Sequence, residues 1–202
     1  MPSNHPRYQL GYWAAKAEMN LLKGFGIGLM MAPDKYIVVP KYFPYALDNG
    51  AFVGFDSNKF KLMLKKASLN SHQPLFVVVP DVVGSHRETL RMWYTWKEEI
   101  IRHGFKPAFV VQDGCKPEDV PIDAFCCFVG GKKYSGWKDA NMHKFKGVCK
   151  WLHIGRCNSI KRILRAKEIG ADSVDGSGFF KTKRQQAQLR EFFEGSNQMP
   201  IL

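Results

Sequence analysis

The chain has 202 residues, 45% of them hydrophobic and 24% charged, which suits one globular domain with a sizeable core. No apolar run reaches the roughly 18 residues of a membrane helix, and no signal-peptide core follows Met1, so a cytosolic protein is expected. The net charge of +12 argues against an acidic surface and points to a polyanionic partner.

That charge is uneven. Residues 1–130 hold 15 Lys+Arg against 12 Asp+Glu, and residues 131–202 hold 15 against 6. The five cysteines (Cys115, Cys126, Cys127, Cys149 and Cys157) are odd in number and show no C-x-x-C spacing. They read as small buried hydrophobes rather than disulfides or a zinc set.

In chain order, Leu10, Trp13, Ala14, Ala17 and Leu21 recur at helical spacing and predict a helix over 10–23, stopped by Gly24. Residues 24–31 read as a first strand, whose G-x-G-x-G spacing is not a dinucleotide fingerprint. Residues 36–39 form another short strand candidate before Pro40. Asp48 then enters an Asn49-Gly50 turn. A helix follows with Phe60, Met63, Leu64 and Ala67 on one face, capped by Asp56 or Ser57.

The unbroken run Leu75–Val79 ends in Pro80-Asp81 and suits a strand buried on both faces. Ser85-His86-Arg87-Glu88 is a capping-box pattern. It opens a helix with Leu90, Trp93, Tyr94, Lys97 and Ile101 as its inner stripe, ended by Gly104. Here His86 reads as a first-turn helix residue rather than a ligand, and Trp93 and Tyr94 read as core. Further strands cover 107–114, 124–131 and 148–155, the last with His153 as a satisfied core histidine. Asn158 or Ser159 caps a helix with Ile160, Ile163, Leu164 and Ile169. A strand carrying Asp172 and Asp175 runs into a glycine-rich loop, and a final helix is predicted over about 183–194.

The alternation of strands and helices predicts an α/β fold with a parallel sheet. Seven or eight strands favour a compact (β/α)8 TIM-like barrel as one domain over 1–202, pared down from the usual ~250 residues. An open doubly wound sheet is the structural alternative. Asp48, Asp81, Gln112, Gly130-Gly131 and Asp175 all fall at the C-terminal ends of strands, where a barrel gathers its chemistry. Strand parity places Asp175 with Ser173 and Asp172 with Val174, so Asp175 is the reactive candidate and Asp172 the structural one. Two carboxylates on one pocket can divide roles, one ionised as nucleophile and one protonated as acid.

The order of these pieces, from about residue 45 to 178, resembles the tRNA-guanine transglycosylase superfamily. It is closest to the short deazapurine-in-DNA transglycosylases of phages and bacterial islands. Leu47-Asp48-Asn49-Gly50-Ala51-Phe52 stands where the family has an Asp-Ser-Gly-Gly-Phe-Gln type motif. Val79-Pro80-Asp81, Val111-Gln112-Asp113-Gly114 and Val129-Gly130-Gly131 match its base-recognising segments, and Leu152-His153-Ile154-Gly155 followed by 170–175 matches the segment ending in its nucleophile. The resemblance implies exchange of guanine for a free 7-deazaguanine base, such as 7-cyano-7-deazaguanine, by double displacement. Asp175 would attack C1′, Asp48 would serve as general acid and then base, and Asp81, Gln112, Asn49, Gly50 and the Gly130/Gly131 backbone would hold the base.

The family's tRNA enzymes carry a Cys/His zinc site after the nucleophile. Here 27 residues follow Asp175 with no cysteine or histidine among them, which favours DNA over tRNA as the polymer, with no metal and no cofactor expected. Arg156, Lys132, Lys133, Lys181 and Lys183 are the nucleic-acid-binding candidates, with Lys138 and Arg184 nearby and Tyr134 and Trp137 as stacking rings. The rival readings are tRNA exchange, a hydrolytic DNA glycosylase and a non-catalytic nucleic-acid-binding barrel.

Overall fold

The computed structural model describes residues 19–21, 26–39, 43–131 and 136–176, together with helical positions 184 and 187. Eight strands close into a barrel in sequence order. They are β1 (Met19–Leu21), β2 (Gly26–Met31), β3 (Tyr45–Leu47), β4 (Val77–Val78), β5 (Pro107–Val111), β6 (Cys126–Val129), β7 (Trp151–Ile154) and β8 (Ser173–Asp175). From β2 to β8 every neighbouring pair is parallel, while β1 runs antiparallel to both β2 and β8 and closes the ring. The expected barrel is thus present, with one reversed stave.

Two strand-level expectations change. Met19–Leu21, placed in the helix over 10–23, is β1; residues 10–18 lie outside the described residues. The backbone groups of β2 and β8 would otherwise face an open edge, and β1 satisfies both. Tyr36–Val39 is not a strand. The edges of β2 and β3 are already taken by their neighbours, so this segment has no ladder to join. It still buries Val39 and leaves Val38 exposed.

Helix α1 (Ser57–Ala67) starts where Asp56 accepts from the N–H groups of Asn58 and Lys59, at 3.0 and 3.1 Å. It buries Phe60, Met63, Leu64 and Ala67, the expected face. Helix α2 (His86–Arg102) is capped by Ser85, which accepts from the Glu88 N–H. Its buried face is Thr89, Trp93 and Ile100. The predicted stripe had the wrong phase, because Tyr94 is 64% and Ile101 41% exposed. Trp93 belongs to either phase, and Lys97, which looked like part of the inner face, reaches out to pair with Asp123. A short α3 covers Trp137–Asn141. Helix α4 (Ile160–Ile169), capped by Ser159, buries Ile163, Ala166 and Ile169 and leaves Leu164 exposed. The final helix predicted over 183–194 lies outside the described residues apart from positions 184 and 187.

The described side chains of β2 to β8 are buried on both faces of the sheet. Leu29, Met31, Tyr45, Leu47, Val77, Phe109, Val111, Cys127, Leu152, Ile154 and Val174 pack outward against the helix layer. Met30, Ala46, Phe76, Val78, Ala108, Val110 and Cys126 pack inward, flanked by Phe125, Phe128 and Trp151. Continuous apolar runs are the sequence mark of that double burial. The inward set fills the barrel, and Val78, Val110 and Phe128 form the floor of a cavity at the C-terminal ends of the strands.

Candidate active site

Side-chain parity builds this cavity. Along β3, β5, β6, β7 and β8, alternate residues point inward. One inward step beyond Ala46, Val110, Phe128, His153 and Ser173 stand Asp48, Gln112, Gly130, Gly155 and Asp175. Asp81 follows β4 after Pro80 and turns into the same space. Together with Asn49, Phe52, Gly131 and Arg156 they line a cavity of about 210 Å³. Gly50 sits just behind Asp48 with φ of 76°.

Asp81 is held by amides. Its Oδ1 accepts from Asn49 Nδ2 at 2.7 Å and its Oδ2 from Gln112 Nε2 at 2.6 Å. Asn49 also donates to the Val79 carbonyl at 2.8 Å and accepts from the Ala51 N–H at 2.7 Å. Gln112 accepts from the N–H groups of Gly84 and Gly131, at 2.8 and 3.1 Å. Both amides are 2% exposed. Asn49 and Gln112, expected to touch substrate, line the cavity and orient Asp81. The backbone donors expected at Gly130 and Gly131 are also engaged, with the Val111 carbonyl and with Gln112. Burial raises the Asp81 pKa, and the Asn49 and Gln112 donors and Arg156 pull it back.

Asp175 is held differently. Its Oδ1 accepts from the Arg156 backbone N–H at 2.9 Å and lies 3.0 Å from His153 Nε2. Its Oδ2 receives no hydrogen bond from the described residues. His153 is fully buried, with Nδ1 2.7 Å from the Ser173 hydroxyl, and Ser173 in turn accepts from Trp151 Nε1 at 2.8 Å. An ionised Asp175 requires a donor at Nε2. Nδ1 then accepts the single Ser173 hydroxyl proton, and every partner in the Trp151–Ser173–His153–Asp175 chain is satisfied. His153 is a core histidine, as expected, but it also positions the candidate nucleophile. The parity shared by His153 and Gly155 on β7 was the available sequence signal.

The β7–α4 turn wraps this carboxylate. Arg156 has φ of 55°, a left-handed conformation that costs a non-glycine residue about 1–3 kcal/mol. It aims the Arg156 N–H at Asp175. A Cβ at Gly155 would lie 2.9 Å from the Phe128 ring and 3.2 Å from Asp175 Oδ1, so only glycine leaves the carboxylate its place.

Asp48 accepts from the Asn49 N–H at 2.8 Å. Burial, then the negative charges of Asp175 and Asp81, push its pKa up to about 7. Asp48 is thus a carboxylic acid near neutrality, beside an aspartate whose outer oxygen meets no donor among the described residues.

The basic candidates fare unevenly. Lys132, Lys133, Lys181 and Lys183, with Tyr134, lie outside the described residues. Arg156 is in the cavity wall rather than on an outer phosphate-binding surface. Its Nη2 donates to the Gly131 carbonyl and its guanidinium lies 4.9 Å from the Phe52 ring centre. Lys138 turns inward and donates to the Gly155 carbonyl at 2.5 Å, and burial lowers its pKa. Trp137 packs on the core, 6.3 Å from Phe145. Neither is an open nucleic-acid contact. Asp172 accepts from the Leu152 N–H at 2.8 Å, the structural role its parity implied. Among the described residues, no helix is long and apolar enough to cross a membrane.

No protein-family model matches this chain, and no curated protein matches it in sequence. Among solved structures it is similar to the tryptophan synthase complex from Pyrococcus furiosus, with TM-score 0.47 and 13% identity over 76% of this chain and 63% of that one. It is also similar to an EAL enzyme in its cAMP- and cyclic-di-GMP-bound form, with TM-score 0.46 and 9% identity over 91% of this chain and 66% of that one. The chain spans less than two thirds of the length of either. The chemistry is therefore read from the cavity's own side chains.

Proposed function

We propose that this protein is a DNA guanine transglycosylase, a pentosyltransferase that exchanges guanine in DNA for a free 7-deazaguanine base. The observation that carries the reading is the pairing on one cavity of an oriented aspartate with an open oxygen, Asp175, and a buried aspartic acid with a pKa near 7, Asp48.

In the first half-reaction Asp175 Oδ2 attacks C1′ of a deoxyguanosine nucleotide. The C1′–N9 bond breaks and its electron pair leaves with guanine, to which Asp48 delivers its proton. The product is a covalent aspartyl–deoxyribose ester. In the second, the Asp48 carboxylate takes the N9 proton of the incoming 7-deazaguanine. N9 attacks C1′ and Asp175 is released. Splitting one displacement at an anomeric carbon into two uses a nucleophile that is also a good leaving group. Asp48 ends protonated, ready for the next cycle.

Asp81 is the base reader in this scheme. Its oxygens keep lone pairs for the guanine N1–H and 2-amino group, and Asn49 and Gln112 hold its plane. The cavity of about 210 Å³ lies below the roughly 300–1,000 Å³ of drug-sized pockets and suits one heterocycle. A nucleotide in duplex DNA has to leave the stack to enter it. The sequence resemblance adds the deazaguanine co-substrate and the choice of DNA.

The test is trapping. Incubation with guanine-containing DNA is expected to give a denaturation-resistant protein–DNA adduct, discharged by added 7-cyano-7-deazaguanine. An Asp175→Ala variant that forms adduct or exchanges base as well as the parent would sink the assignment. Adduct with tRNA but not DNA would transfer the reaction to tRNA. Abasic sites without exchange would make the enzyme a glycosylase.

A further inference from the structure

A second cluster of chemistry-bearing side chains lies outside the cavity. His86 opens α2, Cys115 follows the turn after β5, and Asp119 ends the 3-10 turn Pro117–Asp119. One ligand atom from each of the three lies within 4.8 Å of the other two. Cys115 is buried, while the His86 and Asp119 side chains keep 20% and 36% of their exposure.

Hydrogen bonding does not account for the His86 ring. Its Nδ1 is buried and has no partner among the described residues. Its Nε2 lies 3.7 Å from Asp119 Oδ2, beyond a hydrogen bond. A shielded polar atom left without a partner costs about 1–3 kcal/mol. The ring is nevertheless held in place, edge-on to Phe109 with centroids 6.3 Å apart. Asp119 is fixed as well, because its Oδ2 accepts from the Lys116 N–H at 2.9 Å. The Cys115 thiol donates to the Lys116 carbonyl, at 3.5 Å. These side chains meet at one place with no hydrogen bond among them, His86 and Asp119 approaching at ion-pair distance.

That spacing fits a metal ion. Bonds of 2.0–2.3 Å in a tetrahedron place neighbouring ligand atoms roughly 3.3–3.6 Å apart; His86 Nε2 and Asp119 Oδ2 lie at 3.7 Å and the other separations are within 4.8 Å, so binding draws the ligands inward. The donor set decides the class. A thiolate sulfur and an imidazole nitrogen favour zinc-type ions over calcium or magnesium, which take oxygens. A thiolate and a carboxylate also neutralise a divalent charge.

We propose that His86, Cys115 and Asp119 form a binding site for a zinc-class divalent ion, with a fourth position open to solvent. Binding forms three metal–ligand bonds, and the Cys115 proton passes to solvent. The ion joins the start of α2 to the segment after β5. Two residues before His86, Gly84 donates to Gln112, and Cys115 itself donates through its backbone to the Gln112 carbonyl. The ion therefore clamps the two segments that carry the Gln112 end of the base-reading wall. The 29-residue separation of His86 from Cys115 hides the site from spacing rules.

Cobalt(II) is the probe, titrated into full-length, metal-free protein. One equivalent is expected to bind with a thiolate-to-cobalt charge-transfer band, displaced by zinc. Cys115→Ser is expected to lose the band, and His86→Ala to weaken binding at least tenfold. Cys149→Ser, which removes a thiol 3.1 Å from Cys127 and outside the site, is expected to keep both. Zinc is expected to raise the melting temperature of the parent but not of Cys115→Ser. No stoichiometric band in the folded parent, or a band that survives Cys115→Ser, overturns the site. None of these readouts depends on base exchange, so the site and the proposed activity stand or fall separately.

Discussion

Asp81 and Asp175 face one cavity from β4 and β8, half a turn apart in the ring of eight strands. Both are largely shielded, yet they are supported in different ways. Asp81 has a side-chain amide on each oxygen. Among the described residues, Asp175 has its two donors on one oxygen, an imidazole nitrogen and a strained backbone N–H. A carboxylate gripped at both ends has a fixed plane and spare lone pairs, which suits reading a flat heterocycle. A carboxylate gripped at one end presents the other, which suits attack. Asp48 is coupled to both and differs from them in holding a proton near neutrality.

The comparison breaks most sharply at Asp175. Asp175→Ala is expected to abolish adduct and lower exchange on the order of 10⁴-fold or more, measured by incorporation of labelled guanine into DNA. If Asp81→Ala instead removed the adduct while Asp175→Ala kept it, the two walls would have to exchange roles.

Asp48→Asn comes next, with a loss of about 10²–10⁴-fold and a change in pH profile. The acid form serves the first half-reaction, so the parent's rate of adduct formation should fall as pH rises through about 7. Asp48→Asn should lack that limb. Stability should move the same way. The folded-state pKa lies above the ordinary carboxylate value, so the folded protein binds more protons than the unfolded chain between about pH 4 and 7. Its stability falls over that window. Asp48→Asn should therefore melt several degrees above the parent at pH 8 and no higher at pH 4, as read by calorimetry. A melting difference independent of pH would contradict the buried-acid assignment.

The imidazole chain gives a smaller effect. His153→Phe removes one donor from Asp175 and should lower kcat about 10–100-fold, with KM for DNA little changed. Ser173→Ala, which leaves His153 Nδ1 without its hydroxyl, should cost about 3–10-fold. A merely packing role for His153 would lower stability while sparing the kcat/KM split. Smallest in turnover, Gln112→Leu should act on the other wall. It should raise KM for DNA and for the incoming base about tenfold each, leaving kcat for adduct formation largely intact. Equal losses from His153→Phe and Gln112→Leu in both half-reactions would erase the distinction between the walls.

Much of this site is legible in the sequence because strand parity is local. Gln112 follows Val110, Gly130 follows Phe128, and Asp175 follows Ser173, each by the two-residue period of a strand. The caps at Asp56, Ser85 and Ser159 are equally local, since a side chain and an N–H two or three residues away decide them. What escaped depends on distant neighbours. Tyr94 and Trp93 are adjacent aromatics, and only the seating of α2 on β5 determines which is buried. Lys138 and Trp137 look like surface residues of a basic loop, yet both turn inward.

The sequence by itself determined the barrel's inner and outer faces and the residues delivered to its rim, because alternation and order along the chain carry both. Tertiary structure alone decided what holds each carboxylate. The donors to Asp175 come from residues 19 and 22 positions away, and those to Asp81 from 31 and 32. Barrel closure and register bring them together. The proton on Asp48 is likewise a property of the closed cavity, where burial and the charges of Asp175 and Asp81 act at once.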